Sequence, residues 1–397
     1  MSSLSLVEIG QTAAWIASLQ LPNGLVPWYR GGHGDPWNHV EATMALAAAG
    51  RWAEVQRAFD WLAAQQLPEG GWCTFYVADG VTEPRRDPNV CAYPATGAWW
   101  CAQLNEDGPA LLEALWPMIE RAITWCLGYQ RPGGEIVWSV GPDGVPGNFA
   151  LLAANSSLQQ SLRCAVQIAA VLGYDRSDWA AAADRIARAV AEKPMTFAPK
   201  QRWAMDWYYP VLSGALEPAV GRRQLAGRWH EFVAQGLGAR CVADNFWVTA
   251  AETAECAMAA NRAGCPAEAE KLLSWTRHLR ADDGAYWTGC AHPQCVRFPG
   301  GQKSTYSAAA VIIADHVLNR RSRAAAVFQP EAPSASPPEA TTVFQPEATP
   351  VPQPEPPSAS PPEVPSASPS EVPSGPRGPS GPGVSGRGRG PSAAVSV

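Results

Sequence analysis

Acidic and aromatic side chains recur in this sequence at one kind of place, at or just inside the start of an apolar helical segment. Asp35, Trp37, His39 and Glu41 lead one such segment, Tyr93 a second and Asn155 a third. Asp206, Trp207, Tyr208 and Tyr209 lead a fourth, Asp244, Asn245, Trp247 and Glu252 a fifth, and Thr305 with Tyr306 a sixth. Two chemistries use such equipment. Ring faces attract cations, so they stabilise an allylic carbocation while acids hold the metal of a diphosphate or move a proton. Rings also stack on the apolar faces of sugars, and two carboxylates flanking a glycosidic bond act as acid and as base or nucleophile. Asn38, His39, Asn155, Asn245 and Arg30 suit sugar hydroxyls better than a hydrocarbon.

The candidate catalytic acids are Glu41, Asp206, Glu252, Asp35 and Asp244. The candidate substrate-binding residues are Trp37, His39, Tyr93, Trp207, Tyr208, Tyr209, Asn245, Trp247 and Tyr306. Asp35, Asp206 and Asp244 precede or open helices, where an aspartate also serves as a cap, and Pro36 occupies the favoured first position. Glu41, Glu252 and Glu255 lie inside apolar segments, where an acid must be solvated, paired or shifted in pKa. Glu252 and Glu255, three apart, share a helix face. Of these, Glu41 and Glu252 are favoured as functional. His39, lone on its segment, also reads as a hydrogen-bonding core histidine. Cys290, His292 and Cys295 are soft ligands, but three local donors without a second cysteine pair match no common zinc pattern. No metal is expected, and no cofactor is specified by the sequence.

The elements that must position these residues are read from a repeat. Arg57-Ala58, Trp61-Leu62, Gln66 and Gly70-Gly71-Trp72 build an amphipathic helix that stops at a glycine turn. Degraded copies run through Trp15-Ile16, Gln20, Gly24 and Trp28, and through Arg121-Ala122, Trp125-Cys126, Gln130, Gly133 and Trp138. Another, with arginine for glutamine, contains Trp275-Thr276, Arg280, Gly284 and Tyr286-Trp287. Short and long connections alternate along the chain. The pattern predicts helical hairpins in a closed ring of six inner and six outer helices, an all-α α/α toroid, with inner helices starting near Trp37, Tyr93, Ser156, Trp207, Trp247 and Ser304. An open solenoid is the alternative. Long loops commonly carry function, so their rim is the expected working face.

The Gln and Gly-x-Trp repeats, clearest at Gln66 to Trp72, resemble the QW repeats of terpenoid cyclases and protein prenyltransferases, over roughly residues 5 to 320. The segments Asp35 to Ala42 and Trp247 to Glu255 are similar to actinobacterial prenyltransferase-like toroid proteins. That resemblance implies a prenyltransferase-like or terpenoid-cyclase-like enzyme acting on an isoprenoid. The chain departs from it in lacking an Asp-x-Asp-Asp motif, Asp282-Asp283 being the nearest acidic pair, and in lacking an Asp-x-Cys zinc pair. Six-hairpin glycosidases have a similar barrel, so a carbohydrate-active enzyme is the second reading. A non-catalytic binder using the same pocket is the third, marked by ligand protection without turnover.

Composition bounds the partners. The chain has 397 residues and a formal net charge of −6, which excludes the basic field a nucleic-acid groove needs. A small-molecule substrate, isoprenoid or carbohydrate, is expected. No secretory leader or membrane-length apolar run is seen, so a cytoplasmic protein with reduced cysteines is expected. The toroid domain is expected over 1–320 and a disordered Pro/Ser/Glu/Gly-rich tail over 321–397. There Val327 to Ala332 recurs at Val343 to Ala348. The tail's proline content suits a proline-recognising domain, although its spacing is unspecific.

Overall fold

The computed structural model describes residues 4–329. The expectations for the tail beyond them, disorder and a proline-recognising partner, lie outside the described residues. From the N-terminus come α1 (Leu6–Ala17), α2 (Pro36–Ala48) and α3 (Trp52–Gln65), then a hairpin of β1 (Phe75–Val77) and β2 (Gly80–Glu83). Next are α4 (Pro88–Ala92), α5 (Pro94–Leu104), α6 (Gly108–Leu127), α7 (Leu152–Val171), α8 (Ser177–Glu192), α9 (Ala204–Leu212) and α10 (Pro218–Phe232). The short pair β3 (Val233–Ala234) and β4 (Gly238–Ala239) precedes β5 (Trp247–Thr249), α11 (Ala250–Arg262) and α12 (Pro266–Trp275). A 3₁₀ turn over Thr276–Leu279, β6 (Trp287–Ala291), β7 (Val296–Lys303), α13 (Thr305–Leu318) and a 3₁₀ turn over Arg323–Phe328 complete the order.

The fold is an α/α toroid. Around the inner ring α2 packs on α5, α5 on α7, α7 on α9, α9 on α11, α11 on α13, and α13 back on α2. Each of α3, α6, α8, α10 and α12 packs outside the inner helix it follows, and α1 packs outside α13. Sequence pattern explains the two layers. In α8 the buried residues Trp179, Ala182, Ala183, Ile186, Ala189 and Val190 form one stripe. In α2 every residue from Pro36 to Ala47 is buried, as a helix enclosed on all sides requires.

The repeat identified in the sequence stitches the outer layer. Gln66 Nε2 donates to the carbonyl of Gly70 in its own turn (2.8 Å) and to Met118 O of the next outer helix (2.9 Å), while Arg121 donates to Gln66 Oε1. Gln20 does the same with Gly24, Glu54 and Arg57, and Gln130 with Gly134, Ala182 and Arg185. Gly70 has a φ of +110°, and a Cβ there would collide with the Arg121 carbonyl, so the glycine is required twice over. The degenerate copy closes the ring with the pair exchanged. Arg280 donates to Gln11 Oε1 (3.0 Å) and to Glu8 O (3.4 Å), and Gly284 abuts Gln11. Thr12 Oγ1 donates to Gly284 O (2.7 Å) beside it.

Three local differences from the expected elements have clear causes. The segment expected to begin the fifth inner helix near Trp247 is strand β5, because Val248 and Thr249 are β-branched and pair with Cys290 and Gly289 of β6. An additional short helix, α4, precedes α5 and is capped by Asp87. Residues 323–328, assigned from composition to the tail, return against α5 and α13. There Phe328 is buried beside Trp100, and Gln160 Nε2 donates to Val327 O (3.0 Å). Among the described residues no helix is long and apolar enough to cross a membrane.

Candidate active site

Short turns carry the chain from each inner helix to its outer partner, so all six inner helices present their N-termini to the long-loop rim. Unpaired N–H groups and helix dipoles there favour negative charge. The acids of the mouth fall into two tiers. The upper tier lies in or before the first helical turn and contains Asp35, Asp87, Asp206 and Glu252. The lower tier, farther along the same helices, contains Glu41 of α2 and Glu255 of α11.

The lower tier is a closed floor of carboxyls and phenols. Tyr93, at the start of α5, donates its hydroxyl to Glu41 Oε1. Tyr306 of α13 donates to Glu255 Oε1 (2.7 Å) and Tyr208 of α9 to Glu255 Oε2. Burial raises the Glu41 carboxyl to about 7 against the lowering effect of Tyr93. Burial and the neighbouring Glu41 raise Glu255 well above the usual carboxylate range, and the tyrosine hydrogen bonds only partly offset this. Tyr209 is buried between the fields of Glu255 and Glu41. Trp37 covers this floor, stacked on Tyr93 at 4.7 Å between centroids and edge-on to Tyr306 at 5.3 Å.

The upper tier is bonded to caps and loops rather than to phenols. Asp35 caps α2 by accepting from Asn38 N at Oδ1 (3.0 Å), and its Oδ2 accepts from Trp28 Nε1 (2.5 Å) and Asn38 Nδ2 (2.6 Å). It is 3% exposed, and burial raises its pKa. Asp87 is raised to about 7 by burial, opposed by Arg85 and reinforced by Asp35, which places the two aspartates in each other's field. Arg85 lies over the Trp138 ring at 4.5 Å. Glu252 accepts from Thr249 Oγ1 at the end of β5. Asp206 accepts from Ala153 N (3.3 Å) at the start of α7 and is raised to about 6 by burial. Trp37 Nε1, Asn38 Oδ1, Asn89 Oδ1, Trp138 Nε1 and His33 Nε2 are buried without a hydrogen-bond partner among the described residues. Buried polar groups are costly unless water or a ligand satisfies them, so these atoms mark where hydroxyl groups would be received.

Several expected residues stand elsewhere. Asp244 is exposed and paired to Arg202 (2.8 Å), and Asn245 beside it is exposed. Trp207 points outward between α9 and α10, its Nε1 donating to Gln224 O (3.1 Å) and its ring stacked on Phe232 at 5.0 Å. Trp247 lies in the β5 sheet, edge-on to Phe298 at 5.1 Å. His39 is a packing residue. Nδ1 accepts from Val26 N (3.0 Å), which leaves Nε2–H for Ala58 O (3.0 Å), and burial lowers its pKa to about 4. Sequence reasoning passed over Glu255 in favour of Glu252 and missed Asp87. The Asp87-Pro88-Asn89 run repeats the Asp-Pro opening of Asp35-Pro36-Trp37-Asn38 and was the available signal.

A helical toroid whose mouth is set with carboxylates and aromatics is an architecture found among glycosidases. The chain superposes on a wild-type glycosidase with a TM-score of 0.62 at 15% identity, covering 79% of this chain and 98% of that one. It matches a GH63 mannosylglycerate hydrolase from Thermus thermophilus with a TM-score of 0.59 at 13% identity, over 76% and 98% of the two chains. A D-mannose isomerase shares the fold at 0.59 and 10% identity, over 79% and 97%, so these likenesses define architecture and not reaction. No family model matches the chain. In sequence it is 41% identical over 320 residues to the MMP endo-(1,4)-3-O-methyl-alpha-D-mannosidase of Mycolicibacterium hassiacum, covering 80% of this chain and 88% of that protein. The chain belongs to the family of that mannosidase and is a glycoside-hydrolase-like enzyme. This overturns the prenyltransferase-like and terpenoid-cyclase-like reading. The physical reason lies in the fold, since the glutamines of the QW-like repeat bond within their own turns and to the next outer helix rather than to the acids of the mouth.

Proposed function

We propose that the chain is an endo-acting glycoside hydrolase that cleaves (1,4)-linked chains of 3-O-methyl-α-D-mannose. The observation that carries the reading is the two-tier mouth, with buried acids beneath unpartnered polar atoms and a stacked Trp37–Tyr93 pair. The identity to the mannosidase supplies the sugar and linkage. Glu255 has both oxygens occupied by phenols, and Glu41 is tied to Tyr93 under Trp37, so the lower tier holds the shape of the floor. The chemistry is assigned to the upper tier.

Asp35, its pKa raised by burial, serves as general acid and gives its proton to the glycosidic oxygen as the C1–O bond breaks. Its contacts to Trp28 and Asn38 aim it. Glu252, oriented by Thr249, serves as the second carboxylate and takes a proton from a water whose oxygen bonds to C1 from the other side of the ring. Trp37, backed by Tyr93, offers the aromatic face on which an apolar sugar face and its methyl ether rest. Incubation with (1,4)-linked 3-O-methyl-α-D-mannose oligosaccharides, unmethylated α-mannosides and prenyl diphosphates tests the proposal. Shorter oligosaccharides from the methylated substrate are expected. Turnover of only the unmethylated sugars, or of none, would refute the assigned substrate.

A further inference from the structure

The β6–β7 hairpin carries a group of side chains that the acid site does not use. Cys290, next to the end of β6, pairs with Arg297 of β7, and the turn between the strands returns Cys295 so that its Sγ stands 2.9 Å from Cys290 Sγ. The donor atoms of Cys290, His292 and Cys295 all lie within 4.8 Å of one another. Those three gave no recognisable pattern in the sequence because the fourth donor is remote in the chain. His278, in the 3₁₀ turn after α12, faces His292 with ring centroids 6.2 Å apart.

The histidines are prepared for a ligand role. His278 Nδ1 is 2.6 Å from the Trp275 carbonyl, a contact that requires N–H at Nδ1 and leaves the Nε2 lone pair unprotonated. That Nε2 and His292 Nε2 are both buried without a hydrogen-bond partner among the described residues. Arg297 reaches the same place, donating to His278 O (3.0 Å). Two sulfurs and two imidazole nitrogens form the tetrahedral set that selects zinc. Donors around such an ion are separated by about 3–4 Å, given zinc bonds of about 2.0–2.3 Å. The sulfurs, 2.9 Å apart, would part and His278 would swing toward the other three donors to reach it.

We propose that Cys290, Cys295, His292 and His278 form a structural zinc site that fastens the β6–β7 hairpin to the end of α12. The clamp sits beside the mouth. β6 pairs with β5, and Thr249 of β5 holds Glu252, so the ion fixes the strand that orients the second carboxylate. With four protein ligands the site is closed to substrate, and its role is structural rather than catalytic.

The full-length protein is purified, dialysed against zinc-containing and then zinc-free buffer, and its metal measured by plasma mass spectrometry. About one tightly held zinc per chain is expected for a closed four-ligand site. Cobalt(II) added to the chelated protein should show the intense visible bands of a tetrahedral thiolate site, and Cys295→Ser and His278→Gln should each weaken or abolish them. Cys295 is exposed, so its serine variant keeps the fold and the comparison stays interpretable. All ten cysteines should titrate as thiols in denaturant with chelator. Absence of bound zinc, a Cys290–Cys295 disulfide in the non-reduced peptide map, or a cobalt spectrum indifferent to both substitutions would overturn the proposal.

Discussion

Tyr306 of α13 donates its hydroxyl to Glu255 Oε1 of α11 at 2.7 Å, joining two neighbouring inner helices through a buried carboxyl. With Tyr208 on the other oxygen, this makes Glu255 a tie between three helices of the ring. Tyr306→Phe should therefore cost about 1–3 kcal/mol, since a buried acceptor loses its donor. Urea denaturation of the variant beside the wild type reads this directly. A change below experimental error would show that the floor is not held by its phenols.

Glu41 makes a prediction about pH. Its carboxyl is raised from 4.5 to about 7, so the folded state holds a proton that the unfolded chain has released. A raised carboxyl contributes stability that is complete below about 4.5 and is lost as pH rises through about 7. The loss amounts to roughly 3 kcal/mol at 1.36 kcal/mol per unit. Glu41→Gln removes that dependence. Compared by denaturant unfolding at pH 5 and pH 8, the glutamine variant should gain on the wild type at the higher pH. An equal difference at both values would count against a protonated Glu41.

Asp35 gives the catalytic counterpart. Asparagine is as good a helix cap as aspartate, so Asp35→Asn keeps α2 capped while removing the acid. A loss of roughly 10²–10⁴ in kcat is expected for a general acid, beyond the modest loss of stability from setting an amide nitrogen against Trp28 Nε1 and Asn38 Nδ2. Because burial raises this carboxyl, the alkaline limb of the wild-type rate profile should lie above the ordinary aspartate range, with activity falling as pH rises through it. Retained kcat in the variant would move the acid role elsewhere in the mouth.

Asp244 serves as the contrast. It is exposed and paired to Arg202 at the surface, an arrangement that solvent screens and that contributes little in general. Asp244→Ala should leave kcat and KM unchanged with the substrate that Asp35→Asn fails to cleave. A kcat loss comparable to that variant would place this loop in the active site.

The toroid was legible because its signals are local. Gln66, Gly70 and Arg121 announce a helix end and its neighbour by residue type alone, and the alternation of short and long connections sets the ring. The same repeat misled the reading of function, because a stitch in the outer layer carries no information about chemistry. Within the site, Asp35, Glu41, Glu252 and Tyr306 were visible as polar residues at the starts of apolar helices. Orientation was not. Trp207 and Tyr208 are adjacent, yet one packs outward on Phe232 and the other inward on Glu255, a difference of helix phase about an axis that the sequence does not locate. The remote partnership of His278 with the β6–β7 turn was beyond reach for the same reason, since it depends on tertiary approach.

The central claim is that this mouth hydrolyses a methylated mannoside through Asp35 and Glu252. Cleavage of a (1,4)-linked 3-O-methyl-α-D-mannose oligosaccharide in ¹⁸O-labelled water, read by mass spectrometry for the wild type, Asp35→Asn and Glu252→Gln, tests it most directly. The account predicts internal fragments from the wild type that carry the label at the new reducing end, and little product from either folded variant. Wild-type levels of labelled fragments from both variants would contradict it.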